Sequence, residues 1–130
     1  MPLTRDYVKT AFLLLERGLI DCFINDYISV DVKWTITGSS VLAGTYINRL
    51  DFIQRAISRL QKSLKGTIKW QVQSIFIDGN AAIVEMRSDA VAAKGHVYNN
   101  QYAWIMKFKQ GMIIEARVYY DDVLVDQTII

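Results

Sequence analysis

The residues whose types and spacing could do chemistry lie late in the chain, in Arg87-Ser88-Asp89 and Tyr119-Tyr120-Asp121. Two carboxylates brought close together cannot both ionise cheaply. One pKa rises while a neighbouring arginine holds the other down, and that split separates a general acid from a general base. Asp89, Asp121 and Arg87 meet if residues 85–122 form three antiparallel strands. Lys94-Gly95 and Gln110-Gly111 each read as a two-residue hairpin loop, in which glycine supplies the positive φ. The register then follows. Ala93 faces His96 and Asp89 faces Asn100, while Lys109 faces Met112 and Asn100 faces Asp121. One sheet face is predicted to carry the rows Asp89–Asn100–Asp121, Arg87–Tyr102–Tyr119 and Glu85–Trp104–Arg117. A strand spacing of about 4.8 Å sets Asp89 and Asp121 about 10 Å apart at the backbone, room for a substrate atom and a water. Arg87, the cation in the middle of a partly aromatic face, would be costly to leave unpaired and is expected to engage a carboxylate. A cross-strand ladder of ion pairs and hydrogen bonds without catalysis is the plainer reading of the same pattern.

The elements that must position these residues can be read from periodicity. Thr4 suits the N-cap of a helix running to about Arg17, with Val8, Ala11, Phe12 and Leu15 on one stripe. Gly18 ends it, and a short helix spans about 19–28. Residues 31–37 and 41–46 alternate as strands. Residues 48–64 form the longest helix, with Ile53, Ile57, Leu60 and Leu64 on its apolar stripe. Arg55, Arg59 and Lys62 lie on another face, read as solvated rather than phosphate-binding. Residues 67–77 form a strand that turns at Asp78-Gly79, which sets Trp70 and Val72 beside Arg87 and Glu85. The tail, 123–130, is apolar enough to dock and is expected to extend the last strand. Helices early and antiparallel strands late define an α+β fold, in which three helices from the N-terminal half cover the concave face of a curved antiparallel or mixed sheet. The face opposite the three rows carries Val84, Met86, Ala90, Ala103, Ile105, Ile114, Ala116, Val118 and Tyr120. A second apolar sheet face needs cover, so a homodimer is expected.

Composition bounds the function. The 130 residues are 52% hydrophobic and 22% charged, enough for one domain, 1–130, with a proper core. A net charge of +2 is too small to argue for nucleic acid or an acidic membrane. No basic segment followed by a long apolar run marks a signal peptide, and no run is long enough to span a bilayer. One cysteine forbids an internal disulfide and fits a reducing compartment, so a cytoplasmic setting is expected. Cys22 reads as a buried structural thiol, and His96, the one histidine, as a surface turn residue. No cluster has metal-ligand spacing, and no motif calls for a cofactor.

At the level of motifs, Asp31-Val32-Lys33-Trp34-Thr35-Ile36-Thr37-Gly38 resembles the first-strand motif of SnoaL-like proteins. So do Tyr98-Asn99-Asn100-Gln101-Tyr102-Ala103-Trp104 and Glu115-Ala116-Arg117-Val118-Tyr119-Tyr120-Asp121. These proteins sit in the nuclear transport factor 2-like superfamily, with ketosteroid isomerases and limonene epoxide hydrolases. The resemblance implies a cone-shaped fold, a pocket between helices and concave sheet, and a dimer through the outer sheet faces. Arg87, Asp89 and Asp121 are similar to the Asp-Arg-Asp set of limonene epoxide hydrolases, which implies that one Asp activates water, the other protonates the leaving oxygen and Arg87 holds both. The hydrolases' first-strand Tyr and Asn are missing here. SnoaL-like cyclases use an Asp near the end of the last strand, which Asp121 matches. The isomerase base falls at about Thr35, which cannot take a carbon-bound proton. Asn100, Tyr102, Trp104, Tyr119, Trp70 and Trp34 would surround a small apolar ligand. Two functions follow from the resemblance: a cofactor-independent hydrolase, cyclase or isomerase with Asp121 as acid/base, or a non-catalytic ligand-binding or dimeric interaction module.

Overall fold

A computed structural model describes residues 2–130. Thr4 caps the first helix, α1 (Arg5–Glu16), its Oγ1 accepting the Tyr7 N–H at 3.1 Å. Val8, Ala11, Phe12 and Leu15 are the buried stripe. Gly18 ends α1 with φ of 77°, and α2 (Ile20–Tyr27) follows. A third helix, α3, runs through Arg49–Phe52, a π-helical turn Ile53–Ile57 and Ser58–Lys62, with Asn48 capping its start. The strands are β1 (Ile28–Ile36), β2 (Gly44–Tyr46), β3 (Leu64–Asp78), β4 (Ala81–Ala92), β5 (Gln101–Lys109) and β6 (Met112–Tyr120). They form one sheet in the order β2-β1-β6-β5-β4-β3, antiparallel except where β1 pairs with β6 in parallel. The α+β architecture is the expected one, a curled and unclosed mixed sheet whose concave face the helices cover.

The tail departs from expectation. Instead of extending β6, Asp122–Thr128 forms a fourth helix, α4, because Asp121 supplies an N-cap: its Oδ1 accepts the Leu124 N–H at 3.2 Å. Val125 and Ile129 then bury against Leu42, Ala90 and Tyr98, closing one end of the sheet. The second strand is also shorter than expected, since residues 38–43 turn before β2 begins.

The register differs in a way that matters more. The Gln110-Gly111 loop has the expected two residues, both with positive φ (51° and 79°), and Lys109 pairs with Met112. Ile114 then bulges. Phe108 pairs with Ile113 but Lys107 with Glu115, so Tyr102 meets Tyr120 and Trp104 meets Val118, not Tyr119 and Arg117. The other hairpin tip has three residues, with Ala92 N–H bonded to His96 O. Arg87 therefore pairs with Gln101 rather than Tyr102. The β3–β4 turn falls at Gly79-Asn80 rather than Asp78-Gly79, and with a register shift between Val72 and Ser74 this sets Trp70 beside Ser88 and Val72 beside Met86, in place of Arg87 and Glu85. Each net offset is one residue, and a one-residue offset moves side chains to the other face. Val84, Met86, Ala116 and Val118 thus lie inside the cone, buried, and not on its outer face. Glu85, Arg87 and Asp89 face out. The outer face keeps Ala103 and Ile105, beside exposed Phe76, Ile83 and Ile114.

The 38–43 turn is tied to α4 through Asp122, whose Oδ2 accepts the Ser39 N–H at 3.0 Å and the Ser39 hydroxyl at 3.2 Å. The Ser39 backbone bond is the main cause holding the Asp122 carboxyl below its ordinary value of 3.8. A depressed carboxylate stabilises the fold fully above its unfolded pKa, and the contribution fades as pH falls through the lower folded value. Gly38, with φ of 86°, approaches so closely that a Cβ there would lie 2.8 Å from Asp122 Oδ2. Gly38→Ala is expected to cost about 1–2 kcal/mol from the left-handed backbone alone. Urea unfolding at neutral pH checks it, and an unchanged midpoint would contradict this account of the turn.

Candidate functional site

The pleat sends Trp34 of β1, Trp70 of β3, Tyr102 and Trp104 of β5, and Val118 and Tyr120 of β6 to the concave side. Helical side chains close over them: Leu15 and Phe23 from α1 and α2, Phe52, Ala56, Ile57 and Leu60 from α3, Val125 from α4. Between these layers lies a cavity of about 110 Å³. That is on the scale of the roughly 150 Å³ apolar cavity that takes benzene. All three tryptophans line it. Trp104 is the hub, with edge contacts to Trp34 (centroids 5.2 Å), Phe12 (5.7 Å) and Trp70 (6.1 Å), while Trp34 stacks on Phe52 at 4.3 Å. Most lining residues that keep some exposure belong to 57–70: Ile57, Leu60, Gln61, Leu64, Ile68 and Trp70. The cavity therefore opens between α3 and the start of β3. The π-helical turn forms part of that wall through Ala56 and Ile57.

The lining contains no Asp, Glu, His, Lys or Arg. Its polar atoms are few and mostly committed. Asn100, fully buried, uses its whole amide: Oδ1 accepts the Gln101 and Asp121 N–H groups at 2.8 and 2.9 Å, and Nδ2 donates to Asp121 O at 3.0 Å and Tyr98 Oη at 3.3 Å. Backbone N–H groups only donate, which fixes the amide's orientation. Tyr98 Oη lies 2.8 Å from Tyr102 Oη. Tyr98 accepts from Asn100 and shares one hydrogen bond with Tyr102, so one of the two phenol protons stays uncommitted among the described residues. Tyr120 Oη donates to Thr37 O at 2.8 Å and accepts from Ser40 Oγ at 2.6 Å. The indole Nε1 atoms of Trp70 and Trp104 are buried with no partner among the described residues. Burial raises the Tyr102 phenol well above 10.0. It also raises Tyr98, against hydrogen bonds from Tyr102 and Asn100 that pull the other way.

The expected site residues divide into two groups. Trp34, Trp70, Tyr102 and Trp104 come together around the cavity, and Asn100 stands behind it as a brace rather than at its surface. Arg87, Asp89 and Tyr119 are on the outer face, exposed. The Ile114 bulge and the three-residue hairpin tip put them there, so the Asp89–Asn100–Asp121 and Arg87–Tyr102–Tyr119 rows do not form. Arg87 has no carboxylate within 4.0 Å among the described residues, and facing water it needs none. Asp121 sits outside the cavity, exposed, with its carboxylate capping α4. Cys22 is exposed rather than buried. His96 is at the hairpin tip as expected, its Nε2 2.9 Å from Thr128 Oγ1. Arg55 on the basic face pairs with Asp51 at 3.1 Å and lies over the Tyr46 ring. Tyr98 was missed as a site residue. The period-two spacing of Tyr98, Asn100 and Tyr102 is the signal that could have found it.

This helix-covered cone with an interior cavity is the fold of nuclear transport factor 2-like proteins, and it gives the chain its structural class. Among solved structures it is similar to an NTF2-like protein from Burkholderia thailandensis (19% identity, TM-score 0.80, 95% of this chain and 94% of that one). It is similar too to a protein assigned to the SnoaL-like polyketide cyclases from Jannaschia (15% identity, TM-score 0.76, 99% and 94%). TerC, co-crystallised with polyporic acid, matches at 13% identity and TM-score 0.76 over 95% of each chain. No protein-family model matches the sequence, and no curated protein does. Among the described residues no helix is long and apolar enough to cross a membrane, and no group of three or more His, Cys, Asp or Glu is placed to hold a metal ion.

Two outcomes follow. Asn100→Ala is expected to cost about 3 kcal/mol by stranding part-buried backbone groups, against about 1 kcal/mol for Asp121→Ala, which removes only a cap. Chemical unfolding ranks them, and the reverse order would contradict the assigned roles. The second outcome concerns alkali. A phenol whose folded pKa is raised gives stability that is complete below the unfolded value of about 10 and lost as pH rises through the folded one. Tyr98 and Tyr102 should keep their protons until the fold opens, so their near-ultraviolet ionisation should coincide with loss of far-ultraviolet circular dichroism.

Proposed function

We propose that the protein binds a small, mainly apolar molecule in the cone. The observation that carries this reading is the cavity itself: a space lined by all three tryptophans and by no charged side chain. Aromatic walls with a few placed polar atoms are the usual makeup of small-molecule sites. The co-crystallisation of TerC with polyporic acid supports ligand binding as one use of this fold. The placement of Asp121 favours this reading over acid/base catalysis at that residue, because its carboxylate caps a helix outside the lining. Ethylbenzene is a suitable probe. Millimolar ethylbenzene is expected to change tryptophan emission and raise the melting temperature, since a ligand that binds only the folded state stabilises it. If neither changes, the reading falls.

We further propose a homodimer through the convex face of the sheet, where Phe76, Ile83 and Ile114 are exposed beside Ala103 and Ile105. Light scattering should give twice the 14.9 kDa chain mass at micromolar concentration. Phe76→Asp should shift the population to monomer, and a monomeric wild-type protein would overturn the proposal.

A further inference from the structure

We infer that the ligand carries a neutral hydrogen-bond acceptor oxygen, a ketone carbonyl above all, held by the indole N–H groups of Trp70 and Trp104. This deepens the ligand-binding reading and rests on it. Most polar side-chain groups around the cavity already have partners. Asn100 has no capacity left and Tyr120 is used by Thr37 and Ser40; the Tyr98–Tyr102 pair keeps one free phenol proton, and the Gln61 amide faces water at the open side. Among the described residues, the buried side-chain nitrogen and oxygen atoms without a partner are Trp70 Nε1 and Trp104 Nε1. A buried donor left unpaired is costly, and folded proteins rarely leave one without a reason. Both belong to lining residues of one cavity, on rings whose centroids are 6.1 Å apart and inclined at 67°. Trp104 is only 8% exposed, so bulk water does not reach it freely.

The chemistry of the donors narrows the ligand. An indole nitrogen donates and never accepts, so a hydroxyl or amine offers these groups nothing that a bare oxygen acceptor does not. One carbonyl oxygen has two lone pairs and can take both donors. A carboxylate or phosphate would also accept, but the lining offers no cation, and a charge moved into such a space without one is expensive. The remaining class is a neutral carbonyl compound with an apolar body of about one ring, the size set by the cavity volume of about 110 Å³.

Acetophenone and ethylbenzene test this, because they differ only in C=O for CH₂. In an apolar cavity without donors the hydrocarbon binds far more tightly, since the carbonyl must shed its water. The inference expects acetophenone to bind at least as tightly as ethylbenzene by calorimetry. In ¹⁵N–¹H spectra the Trp70 and Trp104 indole protons should move downfield with acetophenone and not with ethylbenzene. Trp70→Phe, at a partly buried position that keeps an aromatic ring in the wall, should shift the ratio of acetophenone to ethylbenzene affinity about tenfold against acetophenone, the value of one hydrogen bond, whatever the change common to both. Tenfold tighter binding of ethylbenzene to the wild-type protein, with no selective indole shift, would overturn the inference and leave the ligand-binding reading standing. Binding of neither compound would remove both.

Discussion

The interior of this protein is decided by parity. Successive residues of a strand point to opposite sides of the sheet, so the number of residues in each hairpin tip and each bulge determines which half of a strand faces the helices. One extra residue at Ile114 and a third residue at the 93–95 tip set that parity for β4, β5 and β6 together. They put Met86, Trp104 and Val118 on one side and Arg87, Ile105 and Arg117 on the other. With either irregularity removed, an arginine or a glutamate would point at Trp104 and the cavity would not be apolar.

Most of the architecture was legible in the sequence because it rests on signals longer than one residue. The Thr4 cap, the stripe Val8–Ala11–Phe12–Leu15, the Asn48 start of α3 and the Gln110-Gly111 loop each appear where local chemistry demands them. The site was legible by residue type and illegible by partner. Trp34, Trp70, Tyr102 and Trp104 could be named as lining because large aromatics on alternating strands have few other places to go. The carboxylate pair could not be judged, because its existence hung on counting residues through two turns. Sequence patterning is weak there, since Ile114 is as apolar as its neighbours and bulges without a glycine to announce it. The fourth helix was hidden for a related reason. Asp121 has the same composition whether it ends a strand as an acid or begins a helix as a cap, and only the following Leu124 N–H distinguishes the two.

The polar atoms are arranged in two tiers. Asn100 engages Tyr98 and the backbone, Ser40 and Thr37 engage Tyr120, and Asn100 joins the start of β5 to the residue that caps α4. These bonds hold the site's shape and leave little to offer a guest. The inner tier is two indoles with their donors unspent. Stiff surroundings and uncommitted donors are complementary, because a donor held in place by packing loses little freedom when an acceptor arrives.

The parallel pairing of β1 with β6 bears on how the chain reaches this state. It sets Trp34 beside Ala116 and Ile36 beside Val118, residues from opposite ends of a 130-residue chain. Contacts so distant in sequence must wait for a large loop to close, which slows folding. During synthesis β1 emerges long before its neighbour, so the early helices and β1 wait with their apolar surfaces unpartnered while β3, β4 and β5 are made. The meander of β3 to β6 is locally connected and can form its hairpins first. The tryptophan-lined chamber is then a late product of assembly, completed when the oldest strand docks on the youngest.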